Sequence, residues 1–131
     1  MRAIFGVLPV LLLLATPAAA EGIDVKQPFL CAVTETVECG HDGNCVRGGA
    51  QDIDFPAFVE VELGKKLIRE RDGERKTQIR SQSRVDGHLI LQGVQGDRGW
   101  TLSLVEATGR MSISSASQDA GFMVFGACTG L

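Results

Sequence analysis

The sequence predicts an all-β protein: a small antiparallel meander that forms a barrel or sandwich of about seven or eight strands, with two disulfides. Three observations support this prediction. Apolar and polar residues alternate in several short stretches. Turn-forming pairs separate the stretches, and Asp86-Gly87 is the strongest hairpin signal among them. Four cysteines occur in a short chain, which is typical of exported domains with disulfides.

Residues 1–20 have the pattern of a secretory signal peptide. One early cation, Arg2, precedes an apolar run that ends at Leu14, and Ala18 and Ala20 form the A-x-A arrangement that signal peptidase cleaves. The apolar run is too short to span a bilayer. We therefore expect cleavage after Ala20, a single β-rich domain over residues 21–131, and a soluble product that is periplasmic or secreted.

The first predicted strand is CAVTETVEC, residues 31–39. Its alternation places Cys31, Val33, Val37 and Cys39 on one face. Glu35 falls on the same face between the two valines. This position indicates either a bend in the strand or a place at the mouth of a barrel.

The four cysteines leave two disulfide pairings open. In an extended strand, Cys31 and Cys39 would lie about 26 Å apart at about 3.3 Å per residue, too far for a bridge between them. The remaining pairings are Cys39–Cys45 with Cys31–Cys128, or Cys31–Cys45 with Cys39–Cys128. We favour the first, because the glycines and turn formers of CGHDGNC suit a tight reversal that joins its own ends.

The same loop offers an alternative as a metal site built from Cys39, His41 and Cys45. These residue types ligate zinc, but the spacing is not an established one and a fourth ligand is missing. An oxidising compartment also favours disulfides over zinc thiolates. We therefore expect no metal and no cofactor, and keep a small metal-binding protein as an alternative.

The later strands supply most of the predicted core. AFVEVEL and GWTLSLVE, residues 57–63 and 99–106, alternate clearly, whereas residues 47–57 and 21–28 have no pattern and are expected to be the least ordered. The predicted core residues are Val33, Val59, Val61, Leu63, Ile79, Leu89, Leu91, Trp100, Leu102, Leu104, Ile113, Phe122 and Val124.

A basic region provides the candidate binding surface. Residues 65–84 contain eight basic and three acidic side chains, and the single predicted strand TQIRSQSRV carries its arginines on one face. The alternative is a solvated face on which the arginines pair with neighbouring acids. The hypothesised binding residues are Arg80, Arg84, Lys65, Lys66 and Arg69.

Composition and motifs argue against several other functions. The formal net charge is −3, tyrosine is absent and there is one tryptophan, so nucleic acid is not an expected partner. His41 and His88 fall on different turns, and no G-x-S-x-G or G-x-G-x-x-G motif occurs. We therefore do not expect an enzyme.

Four segments carry a resemblance to other proteins: LILQG, GW, TGRM and GFMVFGAC. In these segments the chain resembles a group of uncharacterised small exported proteins of Gram-negative bacteria with an N-terminal cysteine cluster. The resemblance covers nearly all of residues 21–131 and implies no activity. In architecture the chain is also similar to the small disulfide-tied barrels of periplasmic lysozyme inhibitors, but their Ser-Gly and Tyr inhibitory loop is not visible.

The sequence as a whole predicts an exported binding or accessory module of the bacterial envelope. Its partner would be an envelope protein or an anionic envelope component that contacts the basic strand face. We expect a monomer without a membrane span. The alternative is a structural or stress-related envelope protein that has no specific ligand.

Overall fold

The computed structural model describes residues 22–131, so the predicted signal peptide at residues 1–20 lies outside the described residues. The chain forms one ten-stranded antiparallel sheet. The strands are β1 (Phe29–Gly40), β2 (Cys45–Gly48), β3 (Phe58–Glu62), β4 (Leu67–Glu70), β5 (Lys76–Gln78), β6 (Ser81–Val85), β7 (His88–Gln95), β8 (Arg98–Val105), β9 (Arg110–Ala116) and β10 (Ala120–Gly130). A short 3-10 helix, Ala50–Ile53, lies between β2 and β3.

Two meanders meet at β1. The strand order is β5-β4-β3-β1-β10-β9-β8-β7-β6, and β2 pairs with the second half of β1. The predicted all-β antiparallel class is confirmed, as a single sheet curled into a half-barrel. There are more strands than the sequence pattern indicates, because β2 and β5 have only four and three residues.

The two edge strands of the sheet are neighbours in sequence. Only Ile79 and Arg80 separate β5, which pairs with β4, from β6, which pairs with β7. The Ile79 amide donates to Lys66 O at 2.8 Å, and the Arg80 amide donates to Gln92 O at 2.9 Å. The expectation that TQIRSQSRV is one strand is therefore wrong, because the chain passes from one edge of the curled sheet to the other within this stretch.

A β-bulge bends the first strand. The register between β1 and β10 shifts between Val33 and Glu35, which leaves Thr34 without a partner in the ladder. The Thr34 hydroxyl instead donates to Phe125 O at 3.1 Å. Glu35 is half-exposed and forms an ion pair with Arg47 of β2. The position of Glu35 on an apolar face indicated a bend in this strand, and the bulge is that bend.

The bulge reverses which side chains of β1 face the core. Thr36 is 1% exposed, and its hydroxyl donates to Gly49 O at 3.0 Å. Val37 and Cys39 consequently lie on the outer face, because a one-residue insertion moves each later side chain to the opposite side. The prediction that they share a face with Cys31 was wrong for this reason.

The core fills the concave side of the half-barrel. Most of the predicted core residues are buried, while Val33 and Leu63 are partly buried and Phe122 lines a cavity. Ile53 and Phe55 also pack against the core, so the stretch expected to be least ordered is held in place. The buried apolar residues that the alternation did not predict are Val25, Phe29, Ala50, Ile68 and Met111.

Two disulfides join neighbouring strands. Cys31 and Cys128 face each other across β1 and β10, and Cys39 and Cys45 face each other across β1 and β2. This is the pairing that the sequence favoured. Because β1 and β10 lie in the middle of the sheet, the first bridge reinforces its centre and does not close its edges. Two disulfides and no free cysteine indicate an oxidising, extracytoplasmic location.

Candidate functional site

A cavity of about 490 Å³ opens on the concave side of the half-barrel. This volume lies within the range of about 300–1,000 Å³ that is typical of small-molecule sites. The inner faces of β3, β4, β8, β9 and β10 supply its wall, which is mainly apolar. The wall residues are Val59, Ile68, Trp100, Leu102, Ile113, Phe122 and Val124.

Trp100 connects the wall to the edge of the sheet. It pairs with Gly93 across β7 and β8, and a Cβ at Gly93 would overlap the indole ring. The missing side chain therefore lets the ring lie over β7 and reach β5, where its Nε1 donates to Thr77 Oγ1 at 3.2 Å. Together with the bond from the Thr77 hydroxyl to Val94 O at 3.5 Å, this contact ties the edge strand β5 to the β7–β8 hairpin.

One side of the cavity mouth is formed by residues 53–56 and by the β4–β5 hairpin. Arg75 ties them together: its Nη1 donates to Asp54 O at 2.6 Å, and its Nε and Nη2 donate to the two oxygens of Glu70 at 3.1 and 3.2 Å. The hydrogen bonds from Arg75 lower the pKa of Glu70, and the same bonds raise the pKa of Arg75. Arg75 thus links the β4–β5 hairpin to residues 53–56, and Glu70 of the same hairpin holds the guanidinium in place; we call this arrangement the latch.

A second cation at the mouth has no such partner. Arg98, the first residue of β8, is half-buried, and its guanidinium carbon lies 4.4 Å from the centre of the Phe122 ring. No carboxylate within residues 22–131 forms an ion pair with Arg98 or with Lys76, which also lines the mouth. The cavity therefore combines an apolar interior with cationic donors at its entrance.

The polar side chains around the cavity comprise four cations, two carboxylates and the uncharged Thr77, Gln95 and Ser115. Those that the structure places along its wall and mouth include no histidine and no cysteine. Of the two carboxylates, Glu70 is held by Arg75, and the Asp54 side chain is 98% exposed. This arrangement offers shape, apolar contact and charge to a bound molecule.

Two of the five residues of the predicted basic binding surface, Arg69 and Lys65, have acidic partners on β3. Arg69 lies directly opposite Glu60 on β3, forms an ion pair with it, and also lies 3.7 Å from Glu62. Lys65 forms an ion pair with Glu62 at 3.1 Å. For these two residues the structure therefore agrees with the alternative, in which the basic side chains pair with neighbouring acids.

The arginines of the predicted strand face are also separated from each other. Arg84 lies on β6, and its Nη2 forms an ion pair with Glu106 at 2.6 Å. Arg80 lies in the break between β5 and β6, and Lys66 occupies a turn with a φ of 53°. The structure therefore distributes the five hypothesised residues over β4, β6 and the two connections that precede these strands, without forming a continuous row of free cations.

The loop of residues 39–45 has a structural explanation. The backbone and side-chain amides of Asn44 donate to the Asp42 carboxylate at 3.0 and 2.7 Å and lower the pKa of Asp42. Cys39 and Cys45 form a disulfide and so have no thiolate for the alternative metal site with His41. Within the described residues, no three His, Cys, Asp or Glu side chains cluster as metal ligands would.

The outer face of the sheet carries a second hollow of about 320 Å³. It is lined by Val37, Cys39, Gly99, Thr101, Ser114, Ser115, Ala116, Gly121, Phe122 and Met123. None of these side chains carries a charge. The hollow offers the hydroxyl groups of Thr101, Ser114 and Ser115 but no charged group that would orient an ionic ligand.

Fold and cavity together define a class of protein: a disulfide-bridged antiparallel half-barrel with an internal apolar cavity that is open at one end. In comparisons with known proteins, no family model, no curated protein and no solved structure matches the chain. Among residues 22–131, no helix has the length and hydropathy needed to cross a membrane. The resemblance to exported proteins of Gram-negative bacteria stays a prediction.

Sequence reasoning did not find the cavity, because its wall residues have the same pattern as core residues. Trp100, Ile113, Phe122 and Val124 were all expected to pack in the interior. One signal was available: Arg98 directly precedes an alternating apolar strand, where it could remain at an entrance. The alternation by itself does not reveal whether the interior closes completely.

Proposed function

We propose that this protein is an exported, non-catalytic binding module that holds a small, largely apolar molecule inside its half-barrel. The observation that supports this proposal is the apolar cavity of about 490 Å³ with charged groups confined to its mouth. The extracytoplasmic location indicated by the disulfides, together with the predicted signal peptide, supports placement in the periplasm or outside the cell. A monomer satisfies the proposal, because one chain supplies the whole cavity.

In this proposal an anionic partner binds at the cavity mouth and not at the basic strand face that the sequence predicted. Lys65, Arg69 and Arg84 already have acidic partners, so a new anion at these residues would have to displace a carboxylate. Arg98 requires no such exchange. The rival class, a structural envelope protein without a ligand, predicts that the cavity binds nothing at all.

The only tryptophan of the chain provides the test, because Trp100 lines the cavity and tyrosine is absent. Neutral dodecanol is titrated below its solubility limit while Trp100 fluorescence is recorded. We expect a saturable change, since the alkyl chain replaces water or empty space beside the indole ring. An emission that does not change, together with no heat of binding by calorimetry, would support the ligand-free structural class.

Two serines of β9 give a matched pair of variants. Ser115 is half-buried on the cavity wall, whereas Ser112 pairs with Ser103 and Phe125 on the outer face. Ser115→Phe should fill the cavity and weaken dodecanol binding by roughly tenfold or more, a loss of about 1.4 kcal/mol. Ser112→Phe should leave the affinity unchanged. Equal effects of the two variants would place the binding site elsewhere.

A further inference from the structure

We propose that the cavity selects an amphiphile with one anionic head group, specifically a long-chain carboxylate, and that Arg98 binds the carboxylate. This inference rests on the proposed function, because it names the ligand class of the same cavity. It is supported by the orientation of Arg98, by the charges at the mouth and by the size of the apolar interior.

The placement of Arg98 leaves its donors available. Its guanidinium lies over the face of the Phe122 ring at 4.4 Å, and Phe122 is part of the cavity wall. A cation over a ring face interacts with the π electrons of the ring and uses no carbonyl or carboxylate acceptor, so the N–H groups at the edge of the guanidinium can still donate. These edge groups form a planar fork that matches the two oxygens of a carboxylate. The contact with Phe122 therefore holds the Arg98 guanidinium in position and leaves its N–H groups without acceptors among residues 22–131.

The charges around the mouth favour an anion over a cation. The two acids at the mouth, Asp54 and Glu70, both have Arg75 as a partner, and Glu70 accepts two of its hydrogen bonds. Lys76 and Arg98 have no ion-pair partner within residues 22–131. A cationic head group would find no free carboxylate there, whereas an anionic head group would find two free cations.

The interior suits an alkyl chain. At about 30 Å³ for a group of the size of water, a cavity of about 490 Å³ holds roughly 16 such groups, and dodecanoate has fewer non-hydrogen atoms than this. The wall behind Arg98 consists of Trp100, Leu102, Ile113 and Val124, which offer no further charge. A molecule with a charge at one end and a hydrocarbon chain at the other therefore matches the cavity along its length.

The test compares three ligands with one chain length and different head groups. Dodecanoate, dodecanol and dodecyltrimethylammonium are titrated below their micelle concentrations by calorimetry and by Trp100 fluorescence. For the unmodified protein we expect dodecanoate to bind roughly tenfold more tightly than dodecanol, because a charge-assisted hydrogen bond is added. The ammonium compound should bind least tightly, since it meets Arg98 and Lys76.

Three variants assign the preference to Arg98. Arg98→Met should remove the preference, so that the ratio of the affinities for dodecanoate and dodecanol falls from roughly ten to about one. Arg98→Lys keeps the charge and should retain part of the preference. Arg110→Met removes a cation that is exposed and outside the cavity, and should change nothing. Thermal unfolding of each variant shows whether it is folded, and Arg98→Lys supplies the comparison if Arg98→Met is not.

The outcomes separate the inference from the proposed function. If dodecanoate and dodecanol bind equally, or if the preference survives in Arg98→Met, the role of Arg98 is wrong and the apolar binding module stands. If none of the three ligands binds, both proposals fail. A preference that disappears in Arg98→Met and persists in Arg110→Met supports the inference.

Discussion

Two residues, Gly93 and Trp100, shape the cavity at the level of single side chains. They pair across β7 and β8, and the absence of a side chain at Gly93 is what allows the indole to lie over the strand. The ring then forms part of the cavity wall and donates a hydrogen bond to Thr77 on β5. The pair of Gly93 and Trp100 thus determines where the indole lies in the cavity wall and holds the edge strand β5 through Thr77.

Gly93→Ala should destabilise the protein. A Cβ at Gly93 would overlap the Trp100 ring and would lie 2.6 Å from Gln78 O, so the ring or the backbone must move. We expect a loss of about 1–3 kcal/mol in the free energy of unfolding, the usual cost of overpacking. Urea denaturation measures it, and Trp100 emission should shift toward that of a more exposed indole.

Gly99→Ala is the matched control, because Gly99 lies in the adjacent strand and a Cβ there would meet no atom within 4 Å. Its free energy of unfolding should stay close to that of the unmodified protein. Similar losses for both variants would show that Gly93 is not required for the placement of the ring.

At the scale of strands, the sequence predicts alternation well but does not reveal where it breaks. The inward residues of β7 and β8 follow the simple pattern. The bulge at Thr34 inserts one residue into β1, and the break at residues 79–80 lets the chain change edges. Neither break has a glycine or proline to mark it, and both depend on contacts with distant strands. The outer position of Cys39 and the separation of Arg80 from Arg84 therefore could not be predicted from the sequence.

The latch on the β4–β5 hairpin should respond to acid. The hydrogen bonds from Arg75 lower the pKa of Glu70 below its ordinary 4.5 in the folded state. The latch therefore stabilises the mouth fully above that ordinary value, and its contribution is lost as the pH falls through the lowered pKa of the folded state. Carbon-detected NMR titration of the Glu70 carboxyl group should give a pKa below the ordinary value.

Hydrogen exchange of residues 50–56 and 70–76 at decreasing pH reports on the mouth itself. After correction for intrinsic rates, protection should decrease below the ordinary pKa of Glu70. In Glu70→Gln the carboxylate that accepts two hydrogen bonds from Arg75 is removed, so the decrease in this range should be smaller. A decrease of the same size in both proteins would assign the acid response to another group.

At the scale of the whole molecule, β1 holds the two meanders together. It pairs with β3, β10 and β2, and both disulfides start from it. The cysteine pairing could be inferred from the sequence, since the spacing left few alternatives. The central position of the Cys31–Cys128 bridge could not, because it depends on the strand order. The cavity could not be predicted either, because its size depends on the curvature of the complete sheet. The alternation of residues within single strands carries no information about that curvature.

The two disulfides should contribute unequally to stability. They close loops with sequence separations of 97 and 6 residues. The chain-entropy estimate is about 4–5 kcal/mol for Cys31–Cys128 and about 2 kcal/mol for Cys39–Cys45. Urea unfolding of the double alanine variants of each pair should show this ranking. Equal losses, or a larger loss for the short loop, would contradict the role of the bridge between β1 and β10.

The most direct test of the internal binding site is its location by NMR. A decanoate that carries a nitroxide near its methyl end, short enough for a cavity of about 490 Å³, is added to the methyl-labelled protein. We predict that the methyl signals of Ile68, Leu102, Ile113 and Val124 broaden, and that unlabelled dodecanoate restores them. Signals that stay sharp throughout, or broadening confined to outer-face methyl groups such as that of Met123, would contradict a ligand inside the half-barrel.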